Sequence, residues 1–160
     1  MDTIGILGAG AMGTGIAQVA AAAGHRVVIC DNHTLALSKA GKGIQASLKV
    51  LVEKGKMTDA EAYSLFSRIK FTDHMSDFRH CAIIIEAILE DIEQKQIAFK
   101  SMEATVEEDT IIASNTSSLS ISAMGANLKH PGRILGVHFF NPPQVMRLVE
   151  IIPALQTHPD

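Results

Sequence analysis

Residues 8–13 read Gly-Ala-Gly-Ala-Met-Gly, a G-x-G-x-x-G pattern whose setting narrows the fold more than any other feature of the chain. Ahead of it, residues 3–8 (TIGILG) form a short apolar run ending in glycine, the mark of a buried strand. Behind it, residues 11–23 carry apolar side chains at helical spacing, including Ile16, Val19, Ala20 and Ala23, and Gly24 supplies a natural stop. Residues 26–30 (RVVIC) make a second strand that ends at Asp31. In such a strand–turn–helix–strand unit the first glycine permits the tight turn. The second lets the backbone approach a pyrophosphate, and the third lets helix and strand pack closely. The helix N-terminus offers unpaired N–H groups and a partial positive charge to phosphates. Gly8, Ala9, Gly10, Ala11, Met12 and Gly13 are therefore candidate cofactor-binding residues. Asp31, about 20 residues past the glycines, suits the adenosine ribose hydroxyls and repels a 2′-phosphate. Asn32 and His33 bring no arginine to accept one, so the expected cofactor is NAD rather than NADP.

The remaining chain continues the alternation. Residues 34–54 read as one long helix, basic through Lys39, Lys42, Lys49 and Lys54. Thr58 and Glu61 form a capping box that opens a second helix to about residue 67. Strands are expected at residues 69–72, 82–86 and 110–114, with a helix over 92–106 and a short one near 121–125. Two further strands, at 133–138 and 148–152, flank a Pro142-Pro143 turn. Strands alternating with helices imply an α/β fold, a Rossmann-type doubly wound, mostly parallel sheet, with a helical hairpin inserted after the second strand.

Composition excludes several other classes. The chain has 160 residues, 47% of them hydrophobic, which suits one globular domain. Its formal charge is −3 and it has no Trp and one Tyr, so neither a basic nor a base-stacking surface for nucleic acid is expected. Gln18 and Glu86 break the longest apolar stretches well short of a membrane span. Strand sequence from Thr3 leaves no room for a signal peptide. Cys30 and Cys81 sit far apart in apolar runs and read as buried free thiols. Together these point to a cytoplasmic, reducing location. The seven histidines show no metal-ligand spacing, so no metal is expected.

The chemistry-bearing residues lie in the second half. His138 ends an apolar strand and can move a proton near neutral pH. Glu150 lies in the next strand between Val149 and Ile151, where a carboxylate is costly unless paired. If the two strands pack side by side, Glu150 orients the imidazole and stabilises its charged form. Residues 114–118 (SNTSS) follow the fifth strand, where an open sheet lines its ligand crevice. Their hydroxyls and amide suit nicotinamide and a carbonyl. Glu86 and Glu90 sit beyond the fourth strand, and either is a candidate for the nicotinamide ribose. Lys95, Ser47 and Lys54 read as helix-surface residues.

These segments resemble the N-terminal NAD-binding domain of the 3-hydroxyacyl-CoA dehydrogenases, a family that includes bacterial 3-hydroxybutyryl-CoA dehydrogenases. The resemblance covers nearly the whole chain. It rests on GAGAMGTGIA at 8–17, Asp31, EAILED at 86–91, SNTSSLSI at 114–121 and GVHFFNPPQVMRLVEII at 136–152. It implies that His138 is the catalytic histidine, Glu150 its partner acid, and Ser117 and Asn141 members of the same catalytic neighbourhood. It implies NAD contacts from Glu90, Lys95, Asn115 and Ser117 beside the glycine turn and Asp31. It also implies contacts between Ser47, Lys54, Ser117 and an acyl-CoA substrate. The implied reaction is reversible NAD-dependent oxidation of an (S)-3-hydroxyacyl-CoA to the 3-oxoacyl-CoA, as in fatty acid oxidation, butanoate fermentation or aromatic degradation. The family has a second, all-helical C-terminal domain that closes the cleft and forms a homodimer. Residues 1–160 are expected to be the NAD-binding domain alone, with little turnover of their own. Pro143-Gln144 departs from the commoner pattern of its loop, with no evident consequence. A non-catalytic NAD-binding module and a related hydroxy-acid dehydrogenase are the alternatives.

Overall fold

The computed structural model describes residues 2–159. Apolar β-branched runs form the strands β1 (Thr3–Leu7), β2 (Arg26–Cys30), β3 (Ile69–Thr72), β4 (Ile83–Glu86), β5 (Ile111–Ser114), β6 (Ile134–Phe139) and β7 (Val149–Pro153). Helices α1 (Ala11–Ala22), α2 (Thr34–Glu53), α3 (Asp59–Ser67), α4 (Ile92–Thr105) and α5 (Ile121–Gly125) lie between them. Every strand and helix expected from the sequence is present, within a residue or two at each end. Two short 3₁₀ turns, Met75–Phe78 and Pro131–Arg133, carried no periodic signal in the sequence because each is a single turn. Thr58 and Glu61 close the capping box of α3 reciprocally.

The seven strands form one sheet in the order β3-β2-β1-β4-β5-β6-β7. All neighbours are parallel except β6 and β7, which pair antiparallel. Successive residues of a strand point to opposite faces, and both faces are covered. On one face Ile6, Val27, Ile29 and Ile85 meet α1, α2 and α3 through Ile16, Ala17, Ala21, Ile44, Leu48 and Leu65. On the other, Leu7, Val28, Ile84, Ile112 and Ile134 meet Phe78, Phe99, Met102, Ile121 and Met124. The chain direction reverses its progress across the sheet between β1 and β4. The crevice beyond the carboxyl ends of these strands is the usual ligand position in such a sheet. β7 departs from this burial. It is exposed along its length, and Leu148, Ile151 and Leu155 stand in the open. No helix among the described residues is long and apolar enough to cross a membrane.

Cys30 and Cys81 are buried and unbridged, as the sequence suggested. Burial, aided by the carboxylates of Asp31, Asp77 and Asp73, pushes the Cys30 thiol up to about 11. Burial, with a smaller contribution from Asp77, pushes Cys81 to about 11 as well. Both stay protonated at neutral pH, and a protonated buried thiol is a poor nucleophile. Ellman's reagent should therefore label neither in the native protein and both in guanidinium. Fast labelling of either thiol under native conditions would contradict the packing of this face.

Candidate active site

The turn after β1 is built for an anion. Gly8 has φ +109°, and a Cβ there would meet the Ala87 carbonyl oxygen at 2.6 Å. At Gly13 a Cβ would lie 1.9 Å from the Gly8 carbonyl oxygen, so α1 approaches β1 as closely as only glycine allows. Gly10 differs, because a Cβ added there meets nothing within 4 Å. Gly10 is also the N-cap of α1, with no side-chain cap and no acid in the first turn. The N-terminus of α1 thus has no side-chain cap and open space beside Gly10, the arrangement a pyrophosphate needs. Asp31, at the end of β2, accepts from the Ala9 amide at 2.8 Å through Oδ2 and from the His33 amide at 2.9 Å through Oδ1. Each oxygen keeps a lone pair for a ribose hydroxyl.

A cleft of about 340 Å³ opens beside this turn, lined by Met12, Glu90, Lys95, Asn115, Ser117, His138 and Asn141 together with Ala87, Ile88, Phe139 and Phe140. It gathers residues from the ends of β4, β5 and β6, which the parallel order brings side by side. Ser47 and Lys54 lie on and at the end of α2 and do not line it. Ser47 is half-buried and Lys54 exposed.

His138 and Glu150 meet because β6 and β7 pair with His138 opposite Glu150. Opposed residues project from the same face of the sheet. His138 Nδ1 lies 2.9 Å from Glu150 Oε2, and the Phe140 ring stands 4.7 Å from the imidazole, tilted by 54°. The reason the sequence suggested for the pair was burial of Glu150 among apolar neighbours. That reason is corrected here: the Glu150 side chain is 49% exposed, against 17% for His138, because β7 is an exposed edge strand. Register holds the two together.

Two other expectations are corrected. Lys95 does not lie on a helix surface. Its side chain is 1% exposed, and Nζ sits 2.6 Å from Glu86 Oε1 and 3.2 Å from Glu90 Oε2. Glu86 does not reach toward a ribose either. It is fully buried, with Oε1 accepting also from the Ile88 amide at 2.7 Å and Oε2 from Ser114 Oγ at 2.6 Å. Glu86 therefore ties β4, β5 and α4 together beneath the cleft, and Ser114 belongs to that knot rather than to the open loop. Glu90 is the carboxylate that faces outward. Burial works against its charge, but donation from Thr116, the charge and hydrogen bond of Lys95 and donation from Ser118 together hold it below the usual carboxylate range. It is ionised at neutral pH. Asn115 Oδ1 accepts from the Phe139 amide at 2.8 Å, locking the β5 loop to the end of β6.

Nothing in the sequence marks the Glu86–Lys95 pair beyond a Glu at a strand end and a Lys nine residues on. The connecting turn that points one at the other has no periodic signature. No group of metal-ligating side chains occurs among the described residues.

The family described as "3-hydroxyacyl-CoA dehydrogenase, NAD binding domain" matches residues 3–160. A curated relative named "Probable 3-hydroxybutyryl-CoA dehydrogenase", from Deinococcus radiodurans, is 45% identical over 154 residues, 96% of this chain and 55% of its own length. The human "Hydroxyacyl-coenzyme A dehydrogenase, mitochondrial" is 39% identical over 158 residues, 95% of this chain and 50% of its own. Among solved structures, the (S)-3-hydroxybutyryl-CoA dehydrogenase of Ralstonia eutropha superposes with a TM-score of 0.95 at 43% identity, over 98% of this chain and 56% of that one. The chain spans about half the length of these relatives.

Removing Lys95 would leave the buried Glu86 carboxyl without its counter-charge. Breaking a buried pair in this way costs about 3–5 kcal/mol. Lys95→Met should lose that much in denaturant unfolding, and Lys95→Met combined with Glu86→Gln should recover part of it. A Lys95→Met variant as stable as the parent would contradict the buried pair.

Proposed function

The chain belongs to the 3-hydroxyacyl-CoA dehydrogenase family as its NAD-binding domain, and from that membership we propose that it supplies the cofactor seat and the acid–base pair of an enzyme that interconverts (S)-3-hydroxyacyl-CoA and 3-oxoacyl-CoA. The observation that carries the reading is the His138–Glu150 pair, held at 2.9 Å by strand register at the mouth of the cleft beside the glycine turn.

The residues present fit NAD. The space in front of Gly10 and the uncapped amides of α1 suit its pyrophosphate. Asp31 suits the adenosine ribose and disfavours a 2′-phosphate. Glu90, Lys95, Asn115 and Ser117 line the side where the nicotinamide half would lie. Bound NAD⁺ supplies the hydride acceptor, and NADH the donor in reverse. Every proton is moved by the protein. With Nδ1–H donated to Glu150 Oε2, Nε2 is left as the ring's basic nitrogen. Nε2 takes the proton of the 3-hydroxyl as that carbon gives up its hydride. Glu150 then faces the imidazolium that forms and stabilises it, and in the reverse direction His138 returns the proton as an acid. Ser117 donates to the developing carbonyl oxygen, and Asn141 lines the same cleft beside His138. Ser47 and the Lys54 ammonium meet coenzyme A outside the cleft, where lysine suits a phosphate.

The remaining length of the relatives fits an all-helical C-terminal domain that completes the cleft and forms a homodimer. A cytoplasmic enzyme of fatty acid β-oxidation or a related acyl-CoA route is the setting this chemistry suits. In the full-length protein His138→Gln should abolish reduction of acetoacetyl-CoA by NADH, a loss of about 10³-fold or more, while NADH still binds. Unchanged turnover would defeat the assignment of His138.

A further inference from the structure

Gln18 and Gln144 belong neither to the cofactor seat nor to the cleft, yet they join the elements on which both depend. Gln18 lies on the inner face of α1 and is 6% exposed. A buried carboxamide needs a partner at each end. Its Nε2 donates to Ser47 Oγ on α2 at 3.2 Å, and its Oε1 accepts from Gln144 Nε2 at 3.4 Å. These partners are 29 and 126 residues away. One helical turn before Gln18, Gly15 lets the loop after β6 sit directly on α1. A Cβ there would lie 3.0 Å from Pro143 Cγ and Cδ and from Gln144 Oε1. The same loop carries Asn141 into the cleft.

The direction of the chain matters. Ser47 Oγ accepts from Gln18 and, among the described residues, donates to no acceptor. Its hydroxyl proton is therefore free for an outside acceptor. Lys54 follows seven residues later on the same face of α2, at the helix C-cap. A hydroxyl donor and an ammonium two turns apart suit a phosphorylated group.

We infer that Gln144 is a positioning residue for the coenzyme A portion of the substrate, acting through Gln18 to fix the Ser47 hydroxyl while it holds the loop of Asn141 against α1. This rests on the acyl-CoA reading above. It adds that the Gln144–Gln18–Ser47 chain makes recognition of the nucleotide end of the ester depend on the loop beside the catalytic histidine. The hydroxyl of Ser47 touches the ligand, whereas Gln18 and Gln144 act through it.

The test uses the full-length protein and Gln144→Met, which keeps the length of an exposed side chain but removes its donor. Steady-state KM is measured for acetoacetyl-CoA and for acetoacetyl-pantetheine, which lacks the nucleotide, and Kd for NADH. Gln144→Met should raise KM for acetoacetyl-CoA by about three- to tenfold, the size of one hydrogen bond. KM for acetoacetyl-pantetheine and Kd for NADH should stay within about twofold, and Ser47→Ala combined with Gln144→Met should be no worse than Ser47→Ala alone. Additive effects, an equal loss with acetoacetyl-pantetheine, an equal weakening of NADH or an unchanged KM would each overturn the inference. Failure of the unsubstituted protein to turn over acetoacetyl-CoA would overturn the acyl-CoA reading and this inference with it.

Discussion

Helix α1 can begin where it does only because nothing stands between it and the end of β1. At Gly13 the space for a Cβ is already taken by the Gly8 carbonyl oxygen, 1.9 Å away. Any side chain would push the helix off the sheet. With the contact made, the first turn of α1 is pinned above the carboxyl ends of the central strands. Its N-terminus carries no side-chain cap, and the crevice where β1 and β4 part lies beyond the same strand ends. Asp31 then reaches back from β2 to the Ala9 amide and fixes the turn from the other side. The parallel order of the sheet delivers the remaining site residues to the same edge, one loop per strand.

Much of this was legible in the sequence, for physical reasons that differ from residue to residue. Glycines 8, 10 and 13 are constrained by backbone geometry, and such constraints leave the same spacing wherever they act. Runs such as RVVIC and AIIIE are apolar on both faces because the parallel strands are covered on both faces, so the sheet was readable from hydrophobicity. The capping box at Thr58 and Glu61 is a local interaction written in local sequence. What stayed hidden depends on how distant segments meet. Lys95 and Glu86 look like a surface lysine and a crevice acid until the turn after β4 folds one onto the other and buries both. The Gln18–Gln144 contact spans 126 residues and left no trace beyond an unusual Pro143-Gln144 in its loop.

The His138–Glu150 pair stands between these cases. Both residues were identifiable by type and position. Burial of Glu150 does not explain their pairing, because β7 is an edge strand whose residues are all exposed. The pairing follows instead from antiparallel register, which sets His138 opposite Glu150 and turns both to one face. The Glu86–Lys95 pair is buried, whereas the His138–Glu150 pair reaches the surface through Glu150. Glu86, Lys95 and Ser114 tie the strand ends together below the cleft, and His138 with Glu150 stands at its rim.

The central claim is that the open space before Gly10 is the seat of a dinucleotide pyrophosphate rather than a spare turn. Calorimetric titration of NADH into the chain and into Gly10→Val tests it most directly, because the backbone at Gly10 has φ −72° and its Cβ position meets no protein atom. The account predicts that Gly10→Val stays folded, losing only the modest stability of a poorer N-cap, while its NADH affinity falls by about a hundredfold or more, as a side chain displaces the phosphates from the helix amides. A folded Gly10→Val variant that binds NADH as tightly as the parent would contradict it.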